Sequence, residues 1–461
     1  MYAAMNSTQD SLIQRLWDRD TTLWTQDTQV AETIRNRLGW LDCVSTFEPK
    51  LVAIRAFADY LPYSHVVLLG MGGSSLVSNV FAQAITDKRR TFYMLDTTDP
   101  ETIQSVQQKI PLKDTLFIVA SKSGTTIEVD CLFEYFYGLT PDPQQFIAIT
   151  DFNTPLMHKA KQMNFRHIFV NPTDIGGRFA ALSYFGLIPY ALMGGDVISF
   201  FETAKEFVEE CKKSENNVPY KVAQLLFDNQ KAGRNKLYFN IAPQYSLLTN
   251  WIEQLVAEST GKHGLGIVPI LEGKPGSDGF TVDIHIETTQ DLAREFFGWE
   301  MATALVGAMM EINPFDEPNV VFSKKNTGTY LQSENAGEEI RSSIAKISKS
   351  AFEVPAFIQG ISTPEFVAVL SYLPNADQIR KFASKVPVAV SICTGPSYLH
   401  SIGQLHKGGP NQGRFVIVVD DQPDLQIPGR NYGFQTLKLA QALGDYQALI
   451  QAGRKVILIK A

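Results

Sequence analysis

The chain changes its pattern near residue 65, and that change limits the folds open to it. Short apolar runs rich in β-branched and aromatic residues occur at 66–69, 92–95, 116–120, 146–150 and 167–170, each followed by a turn and a longer helix-like stretch. Such runs, apolar throughout rather than alternating, predict strands buried on both faces of a parallel sheet. Helix-like stretches at 76–85, 100–109, 126–137 and 154–163 supply the covering layers. A polar stretch at 209–219 reads as a connection, after which strand-like runs resume at 236–241, 267–270, 282–286, 366–372, 386–391, 415–419 and 456–460. We therefore expect an α/β protein of two units, each a mainly parallel sheet flanked by helices in three α-β-α layers. The expected division is a helical segment 1–54, a first unit 55–210 and a second unit 211–461. Within 1–54, helices are expected around Leu12, Ile13, Leu16 and Trp17 (capped from Asp10 or Ser11), over 30–38 and over 49–60. No chemistry is visible there. Residues 323–363, richer in Lys, Ser, Glu and Asn, carry no strong motif and read as an insertion or connection.

Composition narrows the function. With 461 residues, 44% hydrophobic and 19% charged, the chain can bury a large core. A formal charge of -7 without a basic run argues against a nucleic-acid surface. Cys43, Cys131, Cys211 and Cys393 lie far apart, which predicts neither a zinc site nor disulfides and fits a reducing cytoplasm. Residues 1–14 are polar and show no secretory pattern, and the apolar stretch 185–193 is interrupted by Pro189 and is too short to span a bilayer. The expectation is a cytoplasmic protein with neither nucleic-acid nor membrane partners.

Three loops stand out. Residues 66–69 run into Gly70-Met71-Gly72-Gly73-Ser74-Ser75, and residues 116–120 run into Ser121-Lys122-Ser123-Gly124-Thr125-Thr126, each opening a helix. A strand, a turn and a helix N-terminus present backbone N–H groups and a favourable dipole to an anion. The first loop fits neither the dinucleotide fingerprint nor a Walker loop, and a tight turn with a serine cap remains open for it. The second is too dense in hydroxyls and ammonium for an ordinary cap, so a phosphate cradle is the better reading. Two such loops on one sheet suggest a sugar phosphate. The third, Gly176-Gly177-Arg178-Phe179, places a fixed cation after two glycines that free the backbone, with a turn bearing a surface arginine as the alternative.

Taken together, Gly70-Met71-Gly72-Gly73-Ser74, Ser121-Lys122-Ser123-Gly124-Thr125-Thr126 and Gly176-Gly177-Arg178-Phe179 resemble the successive signatures of the glucose-6-phosphate isomerase (phosphoglucose isomerase) family, which is built from two sugar-isomerase (SIS) domains. The resemblance runs through nearly the whole chain after residue 55. It is closest to the isomerase half of the bifunctional transaldolase/phosphoglucose isomerases, here standing alone.

Aldose–ketose isomerisation needs a base, a cation near the enediolate and groups that open the ring. Glu258 sits where a helix over 250–260 ends at Gly261, and the negative end of the helix dipole raises its proton affinity. A solvated helix glutamate is the plain alternative. Glu258-Ser259-Thr260-Gly261-Lys262 resembles the family motif that carries the base, whereas Glu253 points elsewhere and reads as structural. His400, following a strand and a Gly-Pro turn, occupies the position of the family's ring-opening histidine; His406 is its rival. Asn431-Tyr432-Gly433-Phe434-Gln435-Thr436-Leu437-Lys438 resembles the segment ending in the family's active-site lysine, with Asn431 where many members have glutamine.

The resemblance implies a cofactor-free, metal-independent enzyme of glycolysis and gluconeogenesis that interconverts glucose 6-phosphate and fructose 6-phosphate. Its implied catalytic residues are Glu258, His400, Lys438 and Arg178. Its implied substrate-binding residues are Gly73, Ser74, Ser121, Lys122, Ser123, Thr125, Thr126 and Gly177. It also implies a homodimer in which the ring-opening histidine reaches the neighbouring site. An isomerase of another sugar phosphate such as mannose 6-phosphate, a non-catalytic sugar-phosphate sensor and a cysteine-dependent transferase are the rivals. A sensor would need the loops but not Glu258 together with His400, and none of the four cysteines lies in a candidate loop.

Overall fold

The computed structural model describes residues 2–375 and 377–461. Its first sheet is parallel throughout and comprises β1 (His65–Gly70), β2 (Thr91–Leu95), β3 (Thr115–Ala120), β4 (Phe146–Asp151) and β5 (His167–Asn171), in the order β2-β1-β3-β4-β5. Burial explains the sequence pattern. The inner strands β3 and β4 are buried at every residue and β1 at all but His65, whereas the edge strands β2 and β5 are partly open. Strand order reverses direction between β1 and β3. Open α/β sheets bind ligands at the carboxyl ends of the strands flanking such a reversal. Those two ends carry the loops 70–75 and 121–126.

The remaining strands, expected in one further sheet, form two. β6 (Lys236–Asn240), β7 (Val268–Pro269) and β8 (Gly279–Asp283) make a small parallel sheet in the order β7-β6-β8. β9 (Phe366–Ser371), β10 (Val390–Thr394), β11 (Gly413–Val419) and β12 (Lys455–Lys460) make another, in the order β10-β9-β11-β12. Strand β7 is two residues long and ends on Pro269, which has no N–H to extend a ladder. Side chains bridge the gap instead: Lys236 Nζ donates to the Pro364 carbonyl at 2.9 Å and to Gln412 Oε1 at 2.9 Å. β10 begins four residues later than 386, beyond Pro387.

The N-terminal segment is helical, as Tyr2–Trp17, Thr28–Arg35, Cys43–Phe47 and Leu51–Tyr60. Asp10 and Ser11 lie inside the first helix and do not cap it. Residues 323–363 are more ordered than a connection: helices Val321–Tyr330 and Ala336–Ile347 occupy much of the stretch. A Cβ at Gly444 would fall 2.7 Å from Thr327 Oγ1 and 3.1 Å from the Ser323 carbonyl. The absence of that Cβ lets the Phe434–Gln451 helix seat Val321–Tyr330 closely.

The core crosses the expected boundary between units. On one face of the first sheet, Val66 and Leu68 pack in a cluster with Leu255 and Phe296; on the other, Val67 and Leu69 share a cluster with Leu370 and Ile417. The period of two along β1 thus sends alternate side chains into two cores, both shared with the second half of the chain.

Candidate active site

The loop after β3 is a ring of hydroxyls at the start of the Ile127–Leu139 helix. Ser121 Oγ and Thr126 Oγ1 are 2.9 Å apart, Ser123 Oγ and Thr125 Oγ1 are 3.0 Å apart, and the Gly124 N–H donates to Ser121 Oγ at 3.1 Å. These are exchangeable donors at the positive end of a helix, suited to an anionic oxygen cluster.

Glu258 stands in the last turn of the Leu248–Thr260 helix and is buried. Its Oε1 lies 3.5 Å from Arg178 Nη1, and its Oε2 accepts from Gln254 Nε2 at 3.3 Å. Burial raises its pKa, with a further push from Glu317, against the pull of Arg178, Lys262 and Lys324. Arg178, only 5% exposed, is not the surface arginine of a turn. Its Nε donates to Ser259 Oγ at 2.9 Å, its Nη1 to Glu317 Oε2 at 3.1 Å, and its Nη2 to the carbonyls of Pro314 and Asp316 at 2.7 and 2.9 Å. Burial opposes its charge, but Glu258 and Glu317 outweigh burial and hold its pKa up. The guanidinium is thus committed to protein acceptors and acts on its surroundings as a fixed charge.

His400 follows β10 on the short helix Ser397–His400. Its Nε2 lies 3.0 Å from Glu128 Oε1, and Glu128 also accepts from Gln441 Nε2 at 2.7 Å. Burial would raise the Glu128 carboxyl, but the adjacent His400 holds it below its ordinary value. The His400 carbonyl accepts from Gln254 Nε2 at 2.7 Å, so one amide ties the histidine segment to Glu258. A cavity of about 210 Å³ is lined by Ser123, Thr125, Thr126, Glu128, Lys324 and His400, among others. Lys324 is its cation, and its charge acts on Glu128, Glu258 and Glu317 alike. A larger cavity of about 470 Å³ shares Thr125 and Thr126 with this one. Its own cations, Lys159 and Arg430, are taken up by Asp130 and Glu134, and His400 does not line it. Ser121 lines this larger cavity and not the smaller one, and Glu258 lines neither; it is tied to the His400 segment through Gln254.

Residues 58–266 match the family model described as phosphoglucose isomerase. The chain is related to the glucose-6-phosphate isomerases. Among curated proteins, the glucose-6-phosphate isomerase of Leuconostoc mesenteroides is 30% identical over 288 residues, 55% of this chain and 62% of that one. That of Campylobacter jejuni is 29% identical over 218 residues, 45% of this chain and 53% of that one. The matches therefore span 53% to 62% of the length of these relatives. A probable glucose-6-phosphate isomerase of Methanococcus maripaludis is 23% identical over 384 residues, 66% of this chain and 87% of that protein. Among solved structures, a glucose-6-phosphate isomerase from Chlamydia trachomatis aligns with a TM-score of 0.53 at 18% identity, over 70% of this chain and 78% of that one. A hypothetical protein from Thermus thermophilus aligns with a TM-score of 0.51 at 20% identity, over 99% of this chain and 84% of that one. These two likenesses establish a shared fold. Among the described residues no helix is long and apolar enough to cross a membrane.

Set against the glucose-6-phosphate isomerase resemblance, several sequence-derived residues lie elsewhere than expected. Lys438 is fully buried and bonded to Asp99 at 2.8 Å and Asp420 at 2.6 Å, so it does not reach the cavity. Gln441, on the same helix, and Lys324 line the cavity instead. Lys122 turns away to pair with Asp151 and to donate to the Thr173 carbonyl at 3.2 Å. Gly73 and Ser74 are buried and do not line the cavity. A Cβ at Gly73 would fall 2.1 Å from the Gly177 carbonyl, so these glycine loops meet backbone to backbone. Neither Gly176 nor Gly177 takes a positive φ, so the conformational freedom expected there is not used. Asn431 is exposed and donates to the Ser333 carbonyl at 3.2 Å. His406 is buried among Phe366, Tyr398 and Phe415, with neither ring nitrogen partnered, and burial pushes its pKa well down. The histidine placed at the cavity is His400. The four cysteines are all buried, and burial pushes the Cys131 thiol up to about 12, the opposite of what a nucleophile needs.

Glu128, Lys324 and Gln254 were missed. Glu128 lies directly beyond the hydroxyl loop, and a carboxylate in the first turn of that helix was available as a signal. Lys324 lies in the first turn of the Val321–Tyr330 helix, after the turn Asn313-Pro314-Phe315-Asp316-Glu317-Pro318 and inside the stretch read as motif-free. Gln254 lies one helical turn before Glu258, the spacing at which two side chains share a face.

Proposed function

We propose that this chain interconverts glucose 6-phosphate and fructose 6-phosphate through a cis-enediol, a step of glycolysis and gluconeogenesis. The observation that carries the reading is the union of Glu258, with its raised proton affinity, and the Glu128–His400 pair through the single amide of Gln254. A carboxylate that both takes and returns a proton can move hydrogen between C2 and C1. Glu258 is assigned that role. The hydroxyls of Ser121, Ser123, Thr125 and Thr126 and the helix start behind them hold the phosphate. Gly73, Ser74 and Gly177 fix the neighbouring loops, and Lys122 anchors the hydroxyl loop to Asp151 and the Thr173 carbonyl. His400, oriented by Glu128, handles the ring-opening proton. Lys324, which lines the cavity, takes the ring-opening role that the resemblance implies for Lys438. Arg178 steadies the enediolate through its field rather than by contact.

We propose a cytoplasmic homodimer. The four buried free cysteines support a reducing compartment. The neighbour-reaching histidine is not part of this proposal, since His400 meets Glu128 of its own chain.

A coupled assay offering fructose 6-phosphate and mannose 6-phosphate separately, with a chelator present, tests the reading. Turnover of fructose 6-phosphate that survives the chelator is expected. Glu258→Gln should keep sugar-phosphate binding and lose turnover by roughly 10²–10⁴-fold, the usual weight of a general base. Binding by the wild type without turnover would favour a sensor.

A further inference from the structure

One nitrogen of Arg178 faces two carboxylates. Nη1 lies 3.1 Å from Glu317 Oε2 and 3.5 Å from Glu258 Oε1. The rest of the guanidinium is committed to Ser259, Pro314 and Asp316. Glu317 holds the shorter contact, and it belongs to the same turn as Pro314 and Asp316, so turn and arginine are fixed to each other at three points. A bidentate arginine–carboxylate pair is the strongest alternative open to Glu258. Such a pair would keep Glu258 ionised and would take both of its oxygens away from a substrate.

We propose that Glu317 is a positioning residue: by occupying Arg178 it leaves Glu258 free to take the C2 proton, an inference that rests on the isomerase reading above. With Glu317 in place, Glu258 keeps one long contact to the arginine and one hydrogen bond from Gln254. The charged groups acting on Glu258 are the cations Arg178, Lys262 and Lys324 and the anion Glu317. Lys262 is itself bonded to Asp316 at 2.7 Å, on the same turn. Removing the charge of Glu317 leaves Arg178 and Lys324 without that anion, while Lys262 keeps Asp316. The two carboxyls are accordingly driven apart: burial and Glu317 raise Glu258, while Arg178 overcomes burial and lowers Glu317. Two acids whose surroundings separate them in this way divide the roles of proton carrier and fixed anion.

The test is the pH dependence of kcat/KM and kcat on fructose 6-phosphate for the wild type, Glu317→Gln and Glu317→Asp. In Glu317→Gln the acid limb should move about one unit lower, the scale of one nearby charge. Its plateau kcat should fall roughly threefold, as a weaker base dictates, with KM within about twofold. Glu317→Asp keeps the charge and should keep the limb. An unmoved limb in Glu317→Gln, or the same shift in Glu317→Asp, overturns the proposal. If Glu317→Gln does not fold, a carboxyl-resolved NMR titration of the wild type decides: Glu258 above and Glu317 below the ordinary range is expected, and two ordinary carboxyls overturn it. A wild type with no isomerase activity refutes the underlying reading instead, and the titration still tests the pair.

Discussion

Glu253 and Glu258 share one helix and are both buried, yet their surroundings divide them. Glu258 has a cation; Glu253 has none, its Oε1 is unpartnered, and burial alone pushes its pKa up to about 8 from 4.5. Between those values the folded chain keeps a proton that the unfolded chain has released, so stability falls as pH rises through that window. Glu253→Gln keeps the shape and removes the acid. Its melting temperature should exceed that of the wild type at pH ~8 and match it near pH ~5, a gap of up to a few kcal/mol. Equal shifts at both pH values would show that the carboxyl does not titrate in this way. The sequence distinguished these two glutamates only through the motif around Glu258, because spacing along a helix tells which face a residue takes and not whether a cation waits there. Glu128's place in the first turn beyond the hydroxyl loop is legible but its pairing is not, since His400 lies 272 residues away, and Glu128 and Glu258, on which Lys324 acts, are likewise distant from it in sequence.

At the scale of elements, what was legible is what burial dictates locally. β1, β3 and β4 read correctly because a strand covered on both faces has no polar positions to confuse the pattern. The division of the later strands between two sheets was not legible, since which strands pair is set by contacts distant in sequence, across a gap that Lys236 spans to Pro364 and Gln412. Nor could periodicity reveal why Gly73 is glycine. Its sequence leaves an anion site and a capped tight turn both open, whereas a side chain there would meet the Gly177 carbonyl and the Arg178 N–H. Gly73→Ala puts a Cβ 2.1 Å from that carbonyl, against backbone that has no rotamer to yield. The expected result is a loss of about 1–3 kcal/mol in denaturant unfolding, the usual range for overpacking. A drop in turnover should accompany it, because Arg178 moves with the displaced loop. A variant of unchanged stability and activity would show that the two loops part without consequence.

The whole molecule is organised around the reversal between β1 and β3, with the second half of the chain closing over it. Arg178 from the first half meets Glu258, Glu317 and Ser259 from the second, and Glu128 meets His400 across the same divide. The two larger hydrophobic clusters cross it as well, so the halves are held together by core rather than by a hinge. The sequence pointed to the two α/β patterns and the residues at their strand ends, but not to which copy of the chain would supply the histidine, because resemblance alone implied a partner's. The geometry makes a different prediction for a homodimer. Mixing the inactive Glu258→Gln and His400→Ala variants, under conditions that exchange subunits, distinguishes the two arrangements. If His400 served the neighbouring site, a mixed dimer would reunite an intact Glu258 with an intact His400 at one of its two sites and recover activity. With His400 on the Glu128 of its own chain, each site in the mixed dimer retains one lesion. The mixture should stay at the activity of its components, and any recovery that grows with subunit exchange would place the histidine in the partner's cavity.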